Sequence, residues 1–126
     1  MHIKPLLLTA TLVAMAPALA GAKDFSQSLA TAPSQVVPAA PGGNRSYLLL
    51  INVTPAGGPS AWCSFSLTNK TLPALAPNAP GSFELPAGGQ GAGGLYEPSA
   101  AALVPDALWC VAASGTVALT ALAVQR

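Results

Sequence analysis

The chain predicts an all-β domain: a small antiparallel β-sandwich or jelly-roll-like barrel of six or seven short strands that follows a cleaved signal peptide. Three observations carry that expectation. Beyond the N-terminus, the apolar segments are short and have strand periodicity, with no convincing amphipathic helix among them. Proline and glycine, 13 and 12 residues out of 126, punctuate those segments. Two cysteines, Cys63 and Cys110, fall on the inward phase of two of the strands.

Taken in order, residues 1–22 (MHIKPLLLTATLVAMAPALAGA) read as an export signal. His2 and Lys4 form a short positive region, residues 6–15 are apolar, and Ala18-Leu19-Ala20 or Ala20-Gly21-Ala22 supplies the small-x-small site that a signal peptidase requires. A membrane anchor would need a longer apolar run, and Pro17 interrupts this one where cleavage would occur. The mature protein then begins near Gly21 or Lys23 and is periplasmic or extracellular.

Residues 23–43 form a leader with Pro33, Pro38, Pro41 and Gly42-Gly43, in which only Val36-Val37 offers an edge strand. The main domain spans 44–126. Residues 46–54 (SYLLLINVT) are apolar on both faces, as in a central strand buried on two sides. Residues 61–69 alternate, with Ala61, Cys63, Phe65 and Leu67 on the inner phase, and are expected to pair with 46–54 in a hairpin closed at 55–60. A short strand at 82–85 follows a proline-rich connection. The glycine-rich run 86–94 (PAGGQGAGG) reads as a mobile loop, because glycine at that density loses much entropy on ordering. Further strands are expected at 95–97, 108–113 and 116–124, the last two joined tightly at Ser114-Gly115. An alanine-rich helix competes at the C-terminal end, but the threonine spacing favours a strand.

An even pair of cysteines in an exported chain reads as one disulfide. Closing a loop of that length would remove about 4 kcal/mol of unfolded-state entropy, a large share for a domain of this size. Each cysteine follows a tryptophan, so period two sends Trp62 and Trp109 to the face opposite the cysteines. They share one outer face if the two strands are neighbours, and lie on opposite outsides if the disulfide bridges two sheets. In either case both are expected to sit outside the core.

The segments NRSYLLLINVT, WCSF, SFELPAG and ASGTVALTALAV together resemble a small phage- or prophage-type β-sandwich domain, in which an R-x-Y-L-L-I-x-N strand leads to W-x-x-F, a proline-glycine turn and a final G-T-x-x-V strand. The resemblance covers about residues 44 to 124 and implies a structural or assembly module with no catalytic residues to carry over. This chain adds a signal, a cysteine pair and an alanine-rich last strand.

Composition excludes several functions. Without the signal, Lys23, Arg45, Lys70 and Arg126 balance Asp24, Glu84, Glu97 and Asp106, and the cations are scattered. Nucleic-acid binding and a polybasic membrane role both need clustered Lys and Arg, so neither is expected, and no second apolar run approaches a membrane span. His2 is the only histidine and leaves with the signal, which removes Ser-His-Asp catalysis and histidine-containing zinc sites. Calcium would need clustered oxygen ligands. Glu84 and Glu97 are expected to be solvated strand-end residues rather than a glycosidase pair. Triplets at Asn44, Asn52 and Asn69 fit the glycosylation pattern and arise easily by chance. The expectation is therefore an exported non-catalytic module, without cofactor or metal, that engages a protein partner or its own copies. The competing class is a carbohydrate or small-ligand binder that stacks its ligand on Trp62 or Trp109, with Tyr47 or Tyr96 as further platforms. The exported protein should begin at Gly21 or Lys23 by N-terminal sequencing, and without reductant its intact mass should fall short of the dithiol value by two hydrogen atoms; two free thiols would remove the disulfide.

Overall fold

A computed structural model describes residues 21–66 and 75–126. The export signal through residue 20, the end of the strand expected over 61–69 with its core Leu67, and the Asn69 triplet lie outside the described residues. Nine strands build two antiparallel sheets that face each other and do not close into a barrel. They are β1 (Lys23–Asp24), β2 (Gln27–Leu29), β3 (Ser34–Val37), β4 (Arg45–Asn52), β5 (Ala61–Ser66), β6 (Phe83–Leu85), β7 (Leu95–Tyr96), β8 (Ala107–Ala112) and β9 (Val117–Gln125). The first sheet has the order β1-β9-β4-β7, with β2 also on β9; the second runs β3-β8-β5-β6.

The leader contributes more than the single edge strand expected. β1 and β2 together line one edge of β9, and β3 lines the edge of β8. Between β1 and β2 the ladder is patched by side chain and turn: Phe25 N–H donates to the Ala121 carbonyl, and the Ala121 N–H donates to Ser26 Oγ. Proline and glycine break the leader into pieces too short to show periodicity, yet each piece finds a long strand to template it.

Neither expected hairpin forms. β4 and β5 lie in different sheets, as do β8 and β9, so residues 55–60 and 113–116 are arches that carry the chain across the sandwich. An inward apolar set can be buried against a facing sheet as well as beside a neighbour, and alternation alone does not distinguish the two. β4 is also buried on one side rather than two. Leu48, Leu50 and Asn52 point into the core while Tyr47, Leu49 and Ile51 are half-buried on the outside. A bulge at Ser46 resets the phase, so that Arg45, opposite Gln125, faces inward as well.

The core between the sheets gathers Leu29, Val36 and Val37 from the leader, Leu48 and Leu50 from β4, Cys63, Leu85, Leu108 and Cys110 from the second sheet, and Val117, Leu119, Ala121 and Ala123 from β9. Two buried polar residues bracket β4. At its start, Arg45 is 5% exposed and donates to four acceptors: Gln125 Oε1 at 2.8 Å, the Val104 carbonyl at 2.6 Å, the Asp106 carbonyl at 2.8 Å and the Pro38 carbonyl at 3.0 Å. Burial lowers its pKa, and the nearby Asp106 charge opposes that shift. At its end, Asn52 is fully buried; its amide donates to the Leu85 carbonyl at 2.8 Å and the Pro59 carbonyl at 3.2 Å, and its Oδ1 accepts the Thr54 N–H.

Asn52 also orders the glycine run. Gly94 accepts the Asn52 N–H at 2.9 Å, Gly89 donates to the Asn52 carbonyl at 3.0 Å and Gly88 to the Thr54 carbonyl at 2.7 Å. Residues 86–94 are thus a hydrogen-bonded turn with a short 3-10 segment at Gln90–Ala92, where a mobile loop was expected. Glycine is required there by geometry: Gly93 has φ +85°, and a Cβ on Gly94 would collide with the Pro86 carbonyl. Accordingly, Asn52→Ala should cost about 2–4 kcal/mol in urea unfolding because it strands two carbonyls in the interior, and Gly94→Ala should cost about 1–3 kcal/mol by overpacking. Wild-type stability of Asn52→Ala would mean its amide does not make the bonds described, and wild-type stability of Gly94→Ala that the turn is not packed against Pro86.

Candidate functional site

The β5·β8 pair positions the residues singled out from the sequence. Cys63 and Cys110 are directly opposite in register, their Cα atoms 4.1 Å apart, and are joined as a disulfide with both side chains fully buried. The strands are neighbours in one sheet, so the bond clamps β5 to β8 rather than one sheet to the other. Of the two arrangements open from sequence, this selects the one in which Trp62 and Trp109 share an outer face. Trp62 lies opposite Val111 and Trp109 opposite Ser64.

That face is not the exposed aromatic surface expected. Trp109 is only 7% exposed and forms a second, smaller core with Leu75, Ala107 and Val111, against which Ala39 and the half-buried Trp62 pack. Leu75 and Ala39 lie outside any strand and cover what alternation leaves open. Covering an indole removes a large apolar area from water, so the chain gains by laying those segments there. The Trp109 Nε1–H is buried and has no hydrogen-bond acceptor among the described residues. A sugar-stacking platform needs an open ring face, and Trp109 does not offer one.

The other aromatics do not converge with the tryptophans. Tyr96 points inward and stacks on Phe83 at 4.6 Å between ring centroids, with Phe65 at 6.5 Å, closing the β6/β7 side of the sandwich; burial raises its phenol pKa. Tyr47 is on the outside of the first sheet and donates to Glu97 Oε2 at 2.7 Å. Burial and then that carboxylate push its pKa up to about 12. Glu84 is across the molecule, paired with Trp62 in register and accepting the Ser60 hydroxyl at 2.7 Å, so the two glutamates are not brought together. Asn52, buried and fully bonded, is closed to glycosylation. A groove of about 350 Å³ is lined by Lys23, Phe25, Pro38, Ala39, Pro41 and Gln125 and includes neither tryptophan. Among the described residues, no three His, Cys, Asp or Glu side chains gather as a metal would require.

What the sequence reading missed is the outer face of the first sheet. Register aligns Leu95 with Ile51 and Thr120, Leu49 with Leu122 and Asp24, and Tyr47 with Val124. Val53, one residue past β4, is 49% exposed. Asp24 stands exposed at one rim, its pKa lowered by hydrogen bonds from the Ser26 hydroxyl and N–H. Glu97 stands exposed at the other, after β7. The signal was present in SYLLLINVT, whose apolar character in both phases was read as two-sided burial.

Trp109→Ala should lower unfolding free energy by about 3–5 kcal/mol, as for a buried aromatic, and Trp62→Ala by less than half as much, both measured in urea. A loss under about 1 kcal/mol for Trp109→Ala would return that indole to the surface.

Compared with known proteins, the chain matches no family model, no curated protein and no solved structure.

Proposed function

We propose that this chain is an exported, non-catalytic structural or protein-interaction module whose working surface is the outer face of its first sheet. The observation that carries the reading is that face itself: Leu49, Ile51, Leu95, Leu122 and Val124 lie side by side and only partly buried, with Val53 49% exposed at their end. An outward strand phase in a water-facing sheet is normally polar, so contiguous apolar side chains there point to a contact surface. Export to the periplasm or outside the cell is supported by the buried disulfide, and no helix among the described residues is long and apolar enough to cross a membrane. The resemblance to phage-type sandwich domains fits an assembly role of this kind.

The competing reading, a carbohydrate or small-ligand binder built on Trp62 and Trp109, has less support, because one indole is buried and the other half-covered. A photo-crosslinking residue at Ile51 in cells exporting the protein should give discrete protein adducts, whereas the same residue at Glu84, on the opposite outside, should not. Adducts at neither position, or at Glu84 alone, would overturn the assignment.

A further inference from the structure

Resting on that reading, we infer that the face docks a polypeptide segment with an apolar centre and a cation near each end, lying across the strands as an amphipathic helix. The geometry comes from one row. Asp24 is in register with Leu122, and Leu122 with Leu49. Glu97 follows Tyr96, whose partner is Leu50, and so stands level with Leu49 on the far strand. The Tyr47 hydroxyl bonded to Glu97 Oε2 holds that carboxylate on the outer side. The row therefore reads carboxylate, leucine, leucine, carboxylate across four strands, and three interstrand spacings of about 4.8 Å put the acids about 14 Å apart.

Both acids are held from within the domain, Asp24 by Ser26 and Glu97 by Tyr47, and neither has a cationic partner among the described residues. Lys23 does not serve. Its register partner, Ala123, faces the core, and its side chain lines the groove with Pro38 and Gln125. An apolar strip with an uncompensated carboxylate at each rim is complementary to a strip of opposite rim charge.

The same charges decide between occupants. A second copy stacked face to face about a two-fold on this row would set carboxylate over carboxylate, and Arg126, four residues along the chain from Leu122 and so about 13 Å away, does not reach the row. An anionic lipid surface would be repelled by both rims. The face is also small: it runs about 26 Å along the eight residues of β4, and the outer strands β1 and β7 add only two residues each, so it offers less than about 500 Å² per partner, the scale of a transient contact. A single helix has that footprint, and cations eleven residues apart fall on one side of it at about 16 Å, within reach of both acids.

The test uses the chain from residue 21 with its N-terminus acetylated, so that no terminal ammonium stands near Asp24, and two synthetic helical peptides with the same leucine-alanine face, one with lysines eleven residues apart and one with glutamates there. In fluorescence anisotropy the lysine peptide should bind at least tenfold more tightly and weaken as salt is raised. Asp24→Asn combined with Glu97→Gln should bring the two peptides within twofold while lowering the melting temperature only slightly, since both positions are exposed and the amide oxygens can still accept the Ser26 and Tyr47 bonds. Equal binding of the peptides to the wild type, or no binding of the lysine peptide at millimolar protein, overturns the inference. So does a dimer in sedimentation that Leu122→Lys abolishes, or binding to phosphatidylserine vesicles. If Ile51 crosslinks to partners while the peptides are not discriminated, the charge inference fails and the module reading stands; if Ile51 gives no adduct, the module reading itself fails.

Discussion

The rest of the structure depends on seating β4 between β9 and β7 in the first sheet while both of its polar ends are buried. A guanidinium or an amide out of water must have its donors met, and the cost of leaving one unmet exceeds the gain from any single apolar contact nearby. Arg45 meets this by gathering carbonyls from three segments: Pro38 after β3, Val104 and Asp106 before β8, with Gln125 at the end of β9. Gln125 returns a second bond to the same Pro38 carbonyl at 2.9 Å. Asn52 does the same at the other end with Pro59, Leu85 and Thr54. Each polar end reaches from the first sheet to segments entering or leaving the second, so the sandwich is closed top and bottom by hydrogen bonds as well as by its core.

This arrangement explains why the arches and the glycine turn are where they are. Residues 55–60 must pass the Asn52 amide, and their Pro59 carbonyl is one of its acceptors. The turn at 86–94 packs its N–H groups on the Asn52 and Thr54 carbonyls, and the Thr54 hydroxyl accepts the Ala118 N–H from β9. The disulfide acts elsewhere, between two strands already in one ladder. It restrains the unfolded chain and fixes the β5·β8 register, whereas the union of the two sheets is left to Arg45, Asn52 and the apolar core.

Strand existence was legible from clean alternation in β5 and from short apolar segments between proline and glycine breaks in β3, β4, β6, β7, β8 and β9. The disulfide was legible because compartment and phase pointed the same way. What sequence pattern could not supply was partnership. The leader's strands are two to four residues long, and only pairing with β8 and β9 makes them strands. The hairpins were misread because a short polar connection serves an arch as well as a turn. The glycine run was misread because composition registers entropy and not the backbone hydrogen bonds that offset it. For the tryptophans the phase was right and the exposure wrong: alternation reports which side a residue faces, not what lies on that side, and Leu75 with Ala39 lies over Trp109. The same gap between phase and cover made the partly buried outer side of β4 read as a second core.

The distribution of polar groups connects the fold to its proposed role. The chain beyond residue 22 has few charges, and of those in the described residues Arg45 is committed to the interior, Lys23 to a groove, and Glu84 to Ser60 on the second sheet. A domain this poor in charge has little with which to keep an outer sheet face wet, and it covers the second sheet with Leu75 and Ala39. On the first sheet the outward Leu49, Ile51, Leu95, Leu122 and Val124 stay only partly buried. The two rim acids of that sheet are held ready by short local hydrogen bonds from Ser26 and Tyr47. Bonds of that kind cost little to form, because donor and acceptor are already neighbours through the β1 turn and the β4·β7 ladder, and they spare a partner the entropy of ordering the carboxylates on arrival. An apolar strip between fixed charges therefore gains selectivity mainly by rejecting the wrong rim charge, which is the economical route when the contact area is too small to supply affinity alone.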